Sequence, residues 1–280
     1  MPAAARKFRR VAAIGKLRSR PVAAALRELK SFLRSRKCEL VADGADADLA
    51  VVVGGDGSLL AAARELVGRR VPVVGINLGR VGFMTDIGRD DMRASLGRIL
   101  DGRYSLEKRA LLDAEILRGR KSILRTIALN EAVVSKGSQG RLIEFSLAID
   151  GEFVYKLRGD GVIVATPTGS TAYALSAQGP ILHPALAGLA LVPLNPHTLS
   201  ARPVSVSDRS RVEITLVRAV DVRAHFDGFA LADLAEGDRL VLQRSAEVVR
   251  FVHPPGYRYF ATLREKLRWS EVLESKRSAE

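Results

Sequence analysis

The five residues Leu49-Ala50-Val51-Val52-Val53 are apolar without a break, mostly β-branched, and end at Gly54-Gly55-Asp56-Gly57. A run of that length and composition suits a strand buried on both faces, the condition of a parallel sheet covered by helices. Its neighbours repeat the theme. Val11–Gly15 reads as a short strand, and Pro21–Lys37 as an amphipathic helix with Val22, Leu26, Leu29 and Leu33 along one face. Ser58–Val67 reads as a helix, Val71–Ile76 as a second buried strand, and Asp91–Leu100 as a helix that Asp90 or Asp91 is suited to cap. Strand and helix alternating in this way predict βαβ units around a parallel sheet.

After about residue 101 the period falls to two. Leu111–Leu117 and Ile123–Val134 read as a hairpin around Arg118-Gly119-Arg120-Lys121. In Ile143–Ile149 the residues Ile143, Phe145, Leu147 and Ile149 alternate with smaller or polar ones, and Asp150-Gly151 after them is a strong two-residue hairpin turn. Val212–Leu216, Val220–Phe226, Leu240–Leu242 and Val248–Val252 continue the alternation. The last stretch, from Gly256, is charged and helix-like, with Leu263, Leu267 and Trp269 available to dock. The expected organisation is an α/β domain over 1–100, a mainly antiparallel domain over 101–255 and a helical segment over 256–280.

Composition excludes more than it identifies. A chain of 280 residues buries a sizeable core without staples, and no apolar run approaches the ~18 residues of a membrane span. Met1–Arg10 has neither the apolar core nor the small-residue cleavage site of a secretory signal, and Cys38 is the only cysteine, so a reducing, cytoplasmic setting is expected. Cys38 sits in a Lys/Arg-rich helix tail and is not read as a nucleophile. The net charge of +13 points to anionic partners, but aromatics are only 5% and no basic stripe interleaves with them. A basic surface attracting nucleotides is the expectation, with no nucleic acid and no membrane as partner.

Three stretches carry chemistry. Gly54-Gly55-Asp56-Gly57-Ser58 lies between a buried strand and a helix, where glycines let the backbone approach a phosphate and the helix start favours an anion. A carboxylate there repels phosphates unless it holds Mg²⁺ or takes a proton from an attacking hydroxyl; a plain helix cap is the competing reading of Asp56. Asp160 to Tyr173 is a strand running into a loop dense in Thr and Ser, whose hydroxyls and amides suit ribose and phosphate oxygens. It is no Walker loop, for no lysine follows Gly169, and Gly75, Gly79 and Gly82 are misspaced for a dinucleotide fingerprint. Asn130-Glu131 pairs an amide with a carboxylate inside an apolar strand, suiting a ribose diol or an adenine edge, with an edge-strand polar pair as the alternative. Arg158 and Asp160 also read as a surface ion pair, and His197 as a structural hydrogen-bonder. No His/Cys/Asp/Glu set has the spacing of a metal site.

Taken together, Gly54–Gly57, Asn77-Leu78-Gly79-Arg80-Val81-Gly82-Phe83-Met84-Thr85-Asp86, Asn130-Glu131, Asp160–Tyr173 and Pro196–Pro203 resemble the NAD kinase family, in order and spacing, from about residue 49 to 230. Gly-Gly-Asp-Gly alone is shared with diacylglycerol and sphingosine kinases; the long stretch from Asp160 to Ile181 is far more specific. The resemblance implies an α/β N-terminal domain and a β-sandwich C-terminal domain, and transfer of the γ-phosphoryl of ATP to the 2′-hydroxyl of the adenosine ribose of NAD. It implies Asp56 as the catalytic acid/base or Mg²⁺-positioning carboxylate, with Gly54, Gly55 and Gly57 beside the phosphates. Asn130 and Glu131 would hold the adenosine ribose; Arg141, Arg158, Asp160 and Asp227 would line the NAD pocket. Thr168, Ser170, Thr171, Ala172, Tyr173, Ala174, Leu175 and Ser176 would close over it. Phe229 stands where the family often has glutamine two residues after the Asp. The resemblance further implies Mg²⁺ or another divalent cation and a homodimer or homotetramer. A lipid kinase sharing the glycine motif, or a regulator that binds nucleotide without turnover, are the alternatives.

Overall fold

The computed structural model describes residues 7–42, 44–79, 82–138 and 141–269. Arg80 and Val81 of the glycine-rich motif, and the expected C-terminal helix beyond residue 269, lie outside the described residues. The chain forms two compact units, Met1–Lys108 with Val249–Glu280, and Arg109–Val248.

In chain order the elements are β1 (Arg10–Gly15), α1 (Arg20–Ser35), β2 (Glu39–Val41), β3 (Leu49–Val53), α2 (Asp56–Glu65), β4 (Val73–Asn77), β5 (Ile87–Gly88), α3 (Met92–Leu100) and β6 (Ser105–Arg118). There follow β7 (Lys121–Ala128), β8 (Glu131–Lys136), β9 (Ile143–Ile149), β10 (Glu152–Gly159), β11 (Gly161–Ala165) and α4 (Tyr173–Ser176). The chain ends with β12 (Gly188–Leu194), β13 (Val204–Ser207), β14 (Val212–Arg218), β15 (Val222–Phe226), β16 (Ala230–Leu234), β17 (Arg239–His253) and α5 (Tyr259–Leu267).

The first unit is an α/β layer structure. β2, β1, β3 and β4 pair in parallel in that order, with Val53 opposite Ile76, and β5 adds beside β4. Every residue of β3 is buried, as its sequence demands. Helix α1 opens on Pro21, whose missing N–H costs nothing in a first turn. It buries Ala25, Leu26, Leu29 and Leu33 against the sheet. Each fully buried leucine is worth about 1.5–3 kcal/mol. Asp91 does stand at the N-cap of α3, but its side chain makes no capping hydrogen bond.

The second unit is a sandwich of antiparallel strands. One sheet runs β10-β9-β14-β17 with β6 and β7 attached; the other runs β13-β12-β11-β8-β15-β16. Phe145, Leu147 and Ile214 from the first meet Val134, Val162, Val164 and Phe226 from the second in one core. The β9–β10 turn has Asp150 and Gly151 at φ 54° and 87°, the double left-handed geometry that their sequence signals.

Two strand readings change. Ile123–Val134 is not one strand but β7 and β8, with a break whose cause lies in the site. The segments at Leu240–Leu242 and Val248–Val252 are one strand, β17, and its Phe251 pairs in parallel with Val73 of the α/β unit. The boundaries placed after residues 100 and 255 therefore stand beside a division that falls inside the long strands β6 and β17. A period of two persists along a strand whatever its neighbours, so it cannot mark where those neighbours change. In α5 Leu263 is buried, whereas Trp269 is half exposed.

Candidate active site

In the first unit the turn Gly54–Gly57 joins β3 to α2. The N-cap of α2 is Gly55, which has no side chain to cap with, and Asp56 is the first residue of the helix. Its carboxylate turns into the connection between β4 and β5. The Phe83 N–H donates to Oδ2 at 2.8 Å, while the Met84 N–H and the Thr85 hydroxyl donate to Oδ1, each at 3.2 Å. Thr85 Oγ1 accepts in turn from Gly82 N–H and Asn77 Nδ2, and Asn77 Oδ1 accepts from Gly79 N–H. A Cβ on Gly82 would lie 1.9 Å from Asp56 Oδ1, so only glycine fits there. At Gly55 and Gly57 a Cβ would meet no atom of the described residues within 4 Å. Packing against the described residues does not demand glycine at those two positions.

In the second unit the break between β7 and β8 is made by Asp227. Its Oδ2 accepts from Leu129 N–H at 2.8 Å, and its Oδ1 from Asn130 and Glu131 N–H at 2.7 and 3.2 Å. One carboxylate thus takes the place of a strand partner. It leaves Asn130 and Glu131 with about 8% and 7% exposure, yet Asn130 Oδ1 and Glu131 Oε2 have no hydrogen-bond partner among the described residues. Burial first, and the Asp227 charge second, push the Glu131 carboxyl up to about 7, against the pull of the Tyr173 N–H. Glu131, Asp227 and Tyr173 line a cavity of about 430 Å³ with Val133, Ser135, His225 and Gly228. Burial, helped by Arg223, lowers the His225 pKa.

The hydroxyl-rich loop supports this break from below. Thr166 N–H donates to Asn130 O and its hydroxyl to Leu129 O. A Cβ on Gly169 would sit 2.1 Å from Asn130 O. The Ser170 hydroxyl bridges Pro167 O, Leu182 O and Leu182 N–H, the Thr171 hydroxyl donates to Thr168 O, and Thr168 Oγ1 accepts from buried Arg109. These hydroxyls satisfy a buried loop's own backbone, where the sequence suggested contacts to ribose or phosphate. What the loop exposes is Tyr173 and Ser176, which line a second cavity of about 520 Å³ with Asn195, Pro196 and Arg202.

Family models described as the ATP-NAD kinase N-terminal domain and the ATP-NAD kinase C-terminal domain match residues 18–104 and 129–254. The chain belongs to the NAD kinase family. It is 53% identical to the NAD kinase of Aromatoleum aromaticum, covering 96% of this chain and 97% of that one. It is 46% identical to that of Thiobacillus denitrificans, covering 95% and 99%. An NAD kinase from Archaeoglobus fulgidus solved in complex with ATP superposes with a TM-score of 0.78 at 27% identity, covering 92% and 98%. Yeast NADH kinase complexed with NADH shares the fold, with a TM-score of 0.87 at 23% identity over 95% and 89%.

Of the residues to which the family resemblance gives roles, the structure brings Glu131, Tyr173 and Asp227 to one cavity, with Asn130 beside Glu131. Asp160 is held by Lys136 at 2.7 Å and by Asn195 at 2.8 Å, so its partner is not Arg158. Asn195 and Lys136 together depress its carboxyl pKa. Arg141 and Arg158 are exposed, Ala172 and Leu175 are half-buried, and Thr168, Ser170 and Ala174 are buried in the fold. Phe229 is half exposed beside Gly228. Sequence reading missed the roles of Thr85 and Gly82, although the polar, glycine-bearing run after β4 was the available signal. Ser135 and His225 gave none, being ordinary outward positions of alternating strands.

Proposed function

We propose that this NAD kinase family chain transfers the γ-phosphoryl of ATP to the 2′-hydroxyl of the adenosine ribose of NAD, giving NADP and ADP. The observation that carries the reading is the pair of buried acceptors without donors among the described residues, Asn130 Oδ1 and Glu131 Oε2, beside a nucleoside-sized cavity. Leaving such groups unpaired costs about 1–3 kcal/mol each, and ribose hydroxyls and an adenine amino group supply the missing donors. A lipid acceptor supplies few donors and leaves that cost in place.

In the reaction the 2′-oxygen bonds to the γ-phosphorus, the bond from that phosphorus to the ADP oxygen breaks, and the hydroxyl proton passes to Asp56. A carboxylate offers about four acceptor positions. Among the described residues three donors reach that of Asp56, from Phe83, Met84 and Thr85, which fixes it in place and leaves one position for the substrate hydroxyl. Phosphoryl transfer of this kind is mostly positioning and charge neutralisation. Among the described residues no group of three His, Cys, Asp or Glu side chains is built to hold a metal. A Mg²⁺ ion arriving on the ATP phosphates would take its ligands from them and from water, and would reach Asp56 through a bound water, since the remaining acceptor position is the hydroxyl's. The ion would supply neutralisation of the phosphate charge.

The same reading takes the protein as a cytoplasmic homodimer or homotetramer. It is supported by exposed Phe153 and Val154 on β10, the last strand of its sheet, and by the absence of a membrane-crossing helix among the described residues. Incubation with Mg-ATP and NAD tests the activity. NADP with a single 2′-phosphate resonance in the phosphorus spectrum is expected; no NADP, or phosphate on the nicotinamide ribose, sinks the assignment.

A further inference from the structure

One buried titratable group takes no part in the chemistry above. His253 ends β17 at 2% exposure, with its ring stacked 3.9 Å from that of Tyr257. Both ring nitrogens face carboxylates. Nε2 lies 2.8 Å from Glu107 Oε2 of β6, and Nδ1 is hydrogen-bonded to Asp86 Oδ2. A neutral imidazole carries one N–H, so only the imidazolium donates to both partners. Burial disfavours that charge, but the hydrogen bonds and charges of Asp86 and Glu107 outweigh it and raise the His253 pKa above its ordinary range. Asp86, from the β4–β5 connection, directly follows Thr85, and Gly82–Thr85 is the segment that holds the Asp56 carboxylate.

We infer that His253 is a positioning residue for Asp56: as a buried cation it anchors Asp86, and with it the downstream end of the loop that fixes the Asp56 carboxylate. The inference rests on the reading of Asp56 as the group that aligns the acceptor hydroxyl. Stability alone gives little reason for the arrangement, since a buried ion cluster is commonly no more stable than apolar residues of equal volume. What it does give is a fixed position. Asp86 cannot slide without breaking the hydrogen bond between its buried carboxylate and the His253 ring, so Thr85 and the Phe83 and Met84 amides stay aimed at Asp56.

The test compares His253→Gln with the parent enzyme in kcat, both KM values, melting temperature and pH profile. A misplacement near 1 Å costs about a hundredfold, so kcat is expected to fall by roughly ten- to a hundredfold. KM for NAD and ATP should stay within about twofold, as for an interaction acting on turnover rather than ground-state binding. The parent should lose kcat on the alkaline side as the imidazolium deprotonates, a limb missing in the variant. In a Thr85→Val background the effect of His253→Gln should shrink, because both act through one loop. A folded variant with parental kcat, or a full and additive loss in the Thr85→Val background, overturns the inference. If His253→Gln does not fold, Glu107→Gln carries the test. Removing one carboxylate should move the alkaline limb to lower pH, and an unmoved limb overturns the inference. Asp56→Asn, run in parallel, separates the two ideas. If it turns over normally, the reading of Asp56 fails and takes this inference with it; if it is inactive while His253→Gln is unaffected, only the role of His253 fails.

Discussion

Asp56 is the residue on which the reading of the turn depends, because a helix cap and a reacting carboxylate look alike in sequence. The structure separates them: the side chain leaves its own helix and is held by Phe83, Met84 and Thr85. Asp56→Asn should therefore keep the fold and the affinity for NAD while losing turnover by orders of magnitude, since an amide cannot take the proton. Gly82→Ala should reach a similar loss by another route, with its methyl group occupying the space of the Asp56 carboxylate. Single-turnover kinetics beside calorimetric NAD titration would check both, and a near-parental rate in Asp56→Asn would leave Asp56 a structural residue. The glycine turn and Asp56 were legible in sequence because glycine and an acid before a helix are local signals. The partners on the 82–85 loop were not, because the 27 to 29 residues separating them from Asp56 leave no periodic trace.

Glu131 makes a second prediction at this scale. Its carboxyl is raised to about 7, and only the ionised form leaves both oxygens free to accept from a ribose diol, the protonated form spending one as a donor. NAD binding must then release a proton below that pH, and affinity should fall by about tenfold per unit as pH drops beneath 7. Without ligand the sign is opposite. A raised carboxyl pKa stabilises the fold fully below about 4.5, and that contribution is lost as pH rises through about 7. Titrations at pH 6 and 8 would settle the matter, with Glu131→Gln expected to flatten the dependence. An NAD affinity constant across that range would exclude Glu131 from the ribose contact.

Among the elements, β7 and β8 show what a pattern can and cannot say. Ile123–Val134 is apolar enough for one strand, and nothing in its spacing marks the break at Leu129–Asn130. The break comes from Asp227, almost a hundred positions away in the chain, which takes over their N–H groups. The hydroxyl-rich loop is the reverse case. Its importance was plain in the sequence, and in the structure the hydroxyls of Thr166 and Ser170 donate to the carbonyls of Leu129, Pro167 and Leu182. Asp227→Ala should leave the amides of Leu129, Asn130 and Glu131 short of an acceptor. The expected loss is about 2–4 kcal/mol in denaturant unfolding, given ~1–3 kcal/mol for each buried orphan with partial relaxation. NAD affinity should fall with it and ATP affinity should hold. Equal losses for both nucleotides would show that the break organises more than the NAD pocket.

For the whole molecule, the decisive fact is that one unit is continuous in the chain and the other is not. The core of the sandwich, from Leu112 to Leu242, lies wholly inside Arg109–Val248. The α/β unit draws Val252 into its core, and Phe251 and Leu263 of the same returning segment are buried too. Three such side chains contribute about 1.5–3 kcal/mol each. That sum is comparable to the 5–15 kcal/mol by which an ordinary domain is stable. His253 leaves with them, and Asp86 and Glu107 lose the cation between them. Residues 109–248 expressed alone should therefore fold and unfold in one cooperative transition, whereas 1–108 alone should not. Adding 249–280 to 1–108 through a short flexible linker should restore its transition. Far-ultraviolet circular dichroism during denaturant unfolding of the three fragments is the measurement. A sharp transition in 1–108 by itself would mean that the parallel sheet is self-sufficient, and that the end of β17 is anchored to a unit which does not depend on it.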